Sequence, residues 1–355
     1  VDTEPITMDV KEELTPTVDK PYAYLAKWNS LEDLRFLARL LDEGVAVRYA
    51  EKAFTLNDES YAPGTLIITR NGNEKLGAKF DQLVKDEAAF LNRVITPVET
   101  GFVDSGKDFG SSSVRFLTAP KVGLLSGKGT SSYMVGHIWN YFDQQINYPI
   151  NLINVDDIRS VNWHTYDVLI LPEMYGGAFG DNELNAVKEW VQNGGKLIAV
   201  GGANRQLVDK EGFALKRKSD DSEEEASPED KLKTYADATR DRISGFNTGS
   251  IFEVSLDNTH PLAFGYDDTY MSLKTGSASY EYLDNGWNVG AAKPGAHRSG
   301  FVGHEAKKDL EHSLVFGVQN MGRGSVVYMI DDPFFRGFWH NGKLLIGNAV
   351  FFVGN

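Results

Sequence analysis

The chain contains no cysteine. Thiolate nucleophiles, Cys-ligated metal sites and disulfides are therefore excluded. The compartment stays open on that ground, because a chain of this size folds without disulfide bonds. No apolar run approaches the roughly 20 residues a helix needs to cross a bilayer, so no membrane span is expected. The opening VDTEPITMDVKEELTPTVDKP lacks the basic start and apolar stretch of a signal peptide. Val1 stands where an initiator Met would, which points to a processed chain or a fragment of a longer one. Basic charge is scarce: 36 Lys and Arg face 50 Asp and Glu, for a formal charge of -14. Such a surface repels phosphate backbones, so nucleic acid is not an expected partner.

What is present suffices for a sizeable core. The 355 residues are 41% hydrophobic and 12% aromatic, which excludes global disorder and collagen-like or coiled-coil chains. The length suggests about two domains. Residues 1–20 carry Pro5, Pro16 and many acids and threonines, and read as an extended arm. Residues 21–118 read as a small α/β domain. Tyr22–Trp28 is a strand, and Ser30 opens a helix with Leu31, Leu34, Phe36, Leu37, Leu40 and Leu41 at helical spacing. VAVRYA and TLIIT are further strands, and Phe80–Val94 is a second amphipathic helix. Strands alternating with helices predict a largely parallel sheet. FGSSSVRFLTAP, residues 109–120, reads as a hinge or boundary.

Residues 119–355 read as the second domain. KVGLLSG, PINLIN, YDVLILP and KLIAVGG are predicted strands, and Ser131–Gln145 and Asn182–Asn193 are predicted helices. That β-α-β-α-β run predicts a flavodoxin-like, doubly wound parallel sheet. KRKSDDSEEEASPEDKLK, residues 216–233, is a charge-dense insertion expected to be a mobile, solvated loop. Further strands follow from Ile251, and Gly337–Val353 ends as the apolar helix LLIGNAVFFV.

Gly127-Lys128-Gly129-Thr130-Ser131-Ser132 turns from a strand into a helix, where backbone N–H groups can bind an anion. It fits neither Gly-x-Gly-x-x-Gly nor the P-loop spacing, so tight-turn glycine is the preferred reading. The corner Gly201-Gly202-Ala203 is where a nucleophile elbow would sit, yet none of the three has a nucleophilic atom, and no Gly-x-Ser-x-Gly occurs elsewhere. The seven histidines start no His-x-x-Glu or His-Glu-x-x-His motif, so no metal ligand is assigned. Glu173, Asp331, Asp332, Arg336 and His340 fall near strand ends and make a candidate ligand or acid–base pocket. The competing reading is a structural set of caps and ion pairs. Tyr133, Trp139, Tyr175, Phe179, Phe338 and Trp339 form a candidate exposed aromatic patch, with core packing as the default.

KVGLLSG, the helix with His137-Ile138-Trp139, YDVLILPEMYGG, KLIAVGGAN, His260-Pro261-Leu262 and the tail VVYMIDDPFFRGFWHNGKLLIGNAVFF together resemble a class I glutamine amidotransferase-like domain. With AYLAKW, LLDEGVAVRYAEKAF, GTLIITR and TGFVDSGKDFGSSSVR upstream, the order resembles the C-terminal non-peptidase region of large secreted zinc carboxypeptidases of Bacteroidetes-type bacteria. The resemblance covers nearly all of the chain from Tyr22. It implies a parent metallocarboxypeptidase with a signal peptide, exported to the periplasm or beyond. The family's zinc motif, His-x-x-Glu with a distant His, is absent here, so zinc is expected only in a separate upstream peptidase domain and no cofactor in this chain. The amidotransferase nucleophile maps to Gly202 or Ala203, and His340 is only a positional counterpart of its partner. The resemblance thus implies a non-catalytic accessory region that packs on or regulates the peptidase domain, or binds a peptide or glycan. The alternatives are a hydrolase using Glu173, Asp331, Asp332 and His340, or a protein-interaction module.

Overall fold

The computed structural model describes residues 18–176, 179–218, 232 and 234–354. Most of the predicted arm and most of the acidic insertion lie outside the described residues. The first unit runs β1 (Ala23–Ala26), α1 (Leu31–Asp42), β2 (Val47–Ala50), β3 (Phe54–Leu56), β4 (Glu59–Tyr61), β5 (Leu66–Thr69), α2 (Phe80–Phe90), β6 (Thr96–Val98) and β7 (Val114–Leu117). Ser30 caps α1: its hydroxyl accepts the Asp33 N–H, and Asp33 reaches back to the Asn29 N–H.

Strand order is β6-β1-β5-β2-β7, and every neighbouring pair is antiparallel. This corrects the parallel expectation. The crossovers through α1 and α2 do join parallel strands, but a third strand is inserted into each pair. β5 lies between β1 and β2, and β1 lies between β5 and β6. Two interleaved split β-α-β units make the ferredoxin-like arrangement, here with β7 added. β1 is buried on both faces. Tyr24 and Ala26 meet the helices, while Ala23 and Leu25 meet the β3–β4 hairpin and Phe109. The predicted hinge at 109–120 is therefore the buried Phe109 and the edge strand β7.

The second unit comprises β8 (Val122–Ser126), α3 (Ser132–Asn140), β9 (Ile150–Asn154), β10 (Val168–Leu171), α4 (Asp181–Gln192), β11 (Lys196–Val200), α5 (Ala238–Ser244), β12 (Asn247–Leu256), β13 (Thr269–Lys274), β14 (Trp287–Ala292), β15 (His297–Val302), α6 (His304–Leu310), β16 (Ser313–Met321), β17 (Gly324–Met329) and α7 (Lys343–Phe351). Five strands run parallel in the order β9-β8-β10-β11-β17, which is the flavodoxin-like order 2-1-3-4-5. Val168 and Ile170 point to the α3 and α7 face; Leu169 and Leu171 point to α4. Helices therefore cover both faces, and buried strands read as continuous apolar runs.

The sheet is not parallel throughout. β16, β14, β12, β13 and β15 extend it with antiparallel pairing. The tight turn at Gly322 joins β16 to β17 directly, and so short a link permits only antiparallel neighbours. The start of the predicted mobile insertion is anchored rather than free. Arg217 bridges Tyr280, and Lys218 Nζ donates to the Asp309 and Glu311 carbonyls at 3.2 and 2.6 Å. No helix among the described residues is long and apolar enough to cross a membrane.

The two sheets share one apolar core. All nine residues of α7 are buried, polar Lys343 and Asn348 among them, so the helix is buried all round and lies between the units. Gly347 allows Leu34 of α1 to approach: a Cβ there would fall 2.4 Å from it. Phe352 stacks its edge on Trp28 and Tyr49, with centroids 4.7 Å away in each case. Buried Asn348 accepts the Trp28 indole N–H (2.9 Å) and donates to the Leu262 and Phe264 carbonyls (3.0 and 2.7 Å).

Candidate functional site

Parallel strands deliver their carboxyl ends to one edge, and there the loops after β8, β10, β11 and β17 meet. The loop after β10 is tied to the turn after β8. Ser131 N–H donates to the Glu173 carbonyl and Tyr175 N–H to the Gly129 carbonyl, both at 2.8 Å. Gly127 and Gly129 hold φ of +103° and +82°, which a turn this sharp requires. Ser131 N–H, one of the amides a phosphate would need, is already taken, in keeping with the tight-turn reading.

β11 ends at Val200, and residues 201–206 follow as a short 3-10 turn. Gly201 is left-handed, with φ +57°. Gly202 N–H donates to Glu173 Oε2 at 2.6 Å. A Cβ on Gly202 would lie 2.0 Å from Glu173 Oε1, and one on Gly201 would lie 2.6 Å from Oε2. The Glu173 carboxylate thus fills the volume that a side chain at this corner would need. Arg205 Nη1 stands 3.7 Å from the same carboxylate. Ala203 faces the other way, into the core under β10 and α4. Gly201 is the corner's one left-handed residue; Gly202 and Ala203 are not.

Asp332 follows β17, and its Oδ1 accepts the Phe334 N–H at 2.8 Å. Burial pushes its carboxyl up to about 6; the neighbouring Glu173 and Asp331 charges push the same way, against the Phe334 N–H. Asp331 turns elsewhere. Ser272 Oγ donates to it at 2.6 Å, and Lys274 Nζ, fully buried, reaches its two oxygens at 3.0 and 3.2 Å. Asp331 therefore clamps β13 to the end of β17. Arg336 is exposed, at φ +52°, with its guanidinium over the Phe335 ring, and makes no ion pair among the described residues. His340 is exposed, and its Nδ1 meets Lys343 Nζ at 3.2 Å.

The structure therefore brings together Gly201, Gly202 and Glu173, with Asp332 near enough for the Glu173 charge to raise its carboxyl. It withdraws Ala203 and Asp331, and leaves Arg336 and His340 on the surface. Sequence reading missed Arg205, whose guanidinium also borders a cleft of about 360 Å³ floored by Met174, Phe179 and Leu184. It also missed Asn204. That fully buried amide donates to the Gly201 and Met329 carbonyls, both at 2.8 Å, and so joins the elbow to β17. The asparagine following the Gly-Gly-Ala corner was the available signal. Of the predicted aromatic patch, Tyr133, Trp139, Tyr175 and Phe338 are exposed, Trp339 is half-buried, and Phe179 is buried. Among the described residues no group of three or more acidic or histidine side chains is arranged to hold a metal ion.

No family model matches the chain. No curated protein matches it either. Among solved structures, a ThuA-like protein of Bacteroides uniformis ATCC 8492 aligns at 13% identity over 65% of this chain and 89% of its own, with a TM-score of 0.40. A GMP synthase component of Thermoplasma acidophilum aligns at 8% identity over 65% and 92%, with a TM-score of 0.41. A β-galactosidase of Bacillus circulans sp. alkalophilus aligns at 13% identity over 65% of this chain and 30% of its own, with a TM-score of 0.38. Likeness at this level says nothing of the site. The mixed α/β architecture with its large central sheet rests on the strand order above.

Proposed function

We propose that the chain is a non-catalytic accessory region built on a degenerate class I glutamine amidotransferase-like domain. The observation that supports this most is the Glu173 carboxylate, seated where an elbow nucleophile would project and held by the Gly202 N–H. Carbonyl attack needs a nucleophile at that corner and a base beside it. Here a carboxylate and two glycines take those places. Following the resemblance to secreted zinc carboxypeptidases, the region packs on or regulates an upstream peptidase domain, or binds a peptide or glycan ligand, outside the cytoplasm. Zinc belongs to that other domain in this reading. A fold alone grants no activity.

The test is turnover by the purified chain on glutamine, ester and carboxypeptidase substrates. No turnover above buffer is expected. Turnover that disappears on Glu173→Gln would refute the reading. A second reading, a carboxylate hydrolase, draws on Asp332, whose raised carboxyl beside Glu173 resembles an acid–base pair. It is weakened by Asp331, which is bound to Lys274, and by His340, which turns to Lys343. Activity abolished by Asp332→Asn with the fold intact would favour it.

A further inference from the structure

The amino edge of the central sheet, opposite the elbow, carries a separate cleft of about 510 Å³ between the loop before β10 and the end of α4. Its wall is aromatic. Trp163 and Trp190 hold their ring centroids 5.6 Å apart with planes tilted 42°, and Tyr166 borders them. Trp163 is half-buried and reachable; Trp190 is the inner ring. The backbone is fitted to this wall. A Cβ on Gly195 would lie 2.2 Å from the Trp190 indole, so only glycine lets the ring lie flat at the start of β11. The Trp190 indole N–H donates to the Tyr166 carbonyl at 3.2 Å, fixing helix to loop.

Carboxylates outnumber the one histidine, His164, that lines this cleft. Asp167 and Glu189 line it, and Asp167 uses one oxygen for the Lys121 N–H at 2.8 Å. Glu189 is exposed at its rim. α4 ends here, and the Arg323 guanidinium donates to its Asn193 carbonyl at 3.0 Å, which offsets the partial negative charge of the helix C-terminus. No Lys or Arg side chain lines the cleft. Lys196, which opens β11 beside it, turns its amine inward to the Val350 carbonyl at 2.7 Å. Aromatic faces and two carboxylates favour a positively charged guest. The volume suits a ligand of amino-acid size.

We propose that this cleft binds an organic cation, an alkylammonium or guanidinium group seated on the indole wall with Asp167 and Glu189 as counter-charges. It is independent of the elbow and of the accessory role above. The probe is choline, set against its uncharged isostere 3,3-dimethyl-1-butanol and against glucose, with binding to the full chain followed through the tryptophan indole N–H resonances. Choline should bind saturably and at least about tenfold more tightly than the isostere, because only the charge differs. Glu189→Gln, an exposed and conservative change, should weaken choline binding about threefold or more, and Trp163→Ala likewise. Equal binding of the isostere, preference for glucose, no saturation by about 100 mM choline, or an unchanged affinity in Glu189→Gln would each overturn the assignment.

Discussion

Gly202→Ala puts the occupied elbow to a quantitative test. Gly202 does not hold a positive φ, so alanine meets no backbone objection there. What stands in its way is Glu173 Oε1, 2.0 Å from the new methyl. The carboxylate must swing out, and it then forfeits the 2.6 Å bond from the Gly202 N–H. Hydrogen bonds to charged groups contribute about 1.5–3 kcal/mol, and this one is partly solvated, so a loss of about 1–2 kcal/mol is expected. Glu173→Ala forfeits the same bond and should cost about as much. In the double variant the methyl has nothing to displace and the bond is already gone. Its loss should therefore match either single change rather than their sum, a coupling of about 1–2 kcal/mol. Urea denaturation of the four proteins, with slopes compared for two-state behaviour, measures it. Additive losses would mean that the carboxylate does not occupy the corner, and the reading of the elbow would fall with it.

Other outcomes follow from the buried polar groups. Asp332 is raised to about 6 from its ordinary 3.8, so the folded protein holds a proton that the unfolded chain releases. Stability should fall as pH rises from about 4 to about 6, and Asp332→Asn should flatten that slope and gain about 1–2 kcal/mol at pH 7, read by thermal melts across that range. Lys274→Met leaves Asp331 without its buried partner and should cost about 3 kcal/mol or more in denaturant melts. Asn348→Leu strands the Trp28 indole N–H and the Leu262 and Phe264 carbonyls in the core. A loss of about 3–5 kcal/mol is expected, and a change under about 1 kcal/mol would contradict the hub role.

The inner strands of the parallel half of the central sheet are legible from residues because they are buried on both faces. VGLL, VLIL and LIAV are apolar runs with a glycine or proline within two residues of their ends, and each forms a strand. The antiparallel half is less legible because its strands alternate: the pattern over Asn247–Leu256 marks one buried face but names no neighbour. The first unit deceived for a related reason. Periodicity shows β1-α1-β2 as a crossover, but which strand slips between the two ends is decided by packing some forty residues apart along the chain. At the site, Glu173 and the glycine corner were visible as types and positions. That the carboxylate folds back onto the Gly202 amide was not, since it depends on two loops meeting across adjacent strands. Arg336 and His340 were grouped with the acids by proximity in sequence, and the left-handed turn at Arg336 sends them to the surface.

The position of α7 sets an order of events during synthesis. Residues 343–351 supply apolar contacts to both sheets, yet every strand they cover has already left the ribosome before they do. Until then the patches of both layers that α7 fills stay open between the units. A nascent chain that has emerged only as far as Gly342 should bind chaperones and be cut readily by proteases at sites that emergence of residues 343–351 would seal.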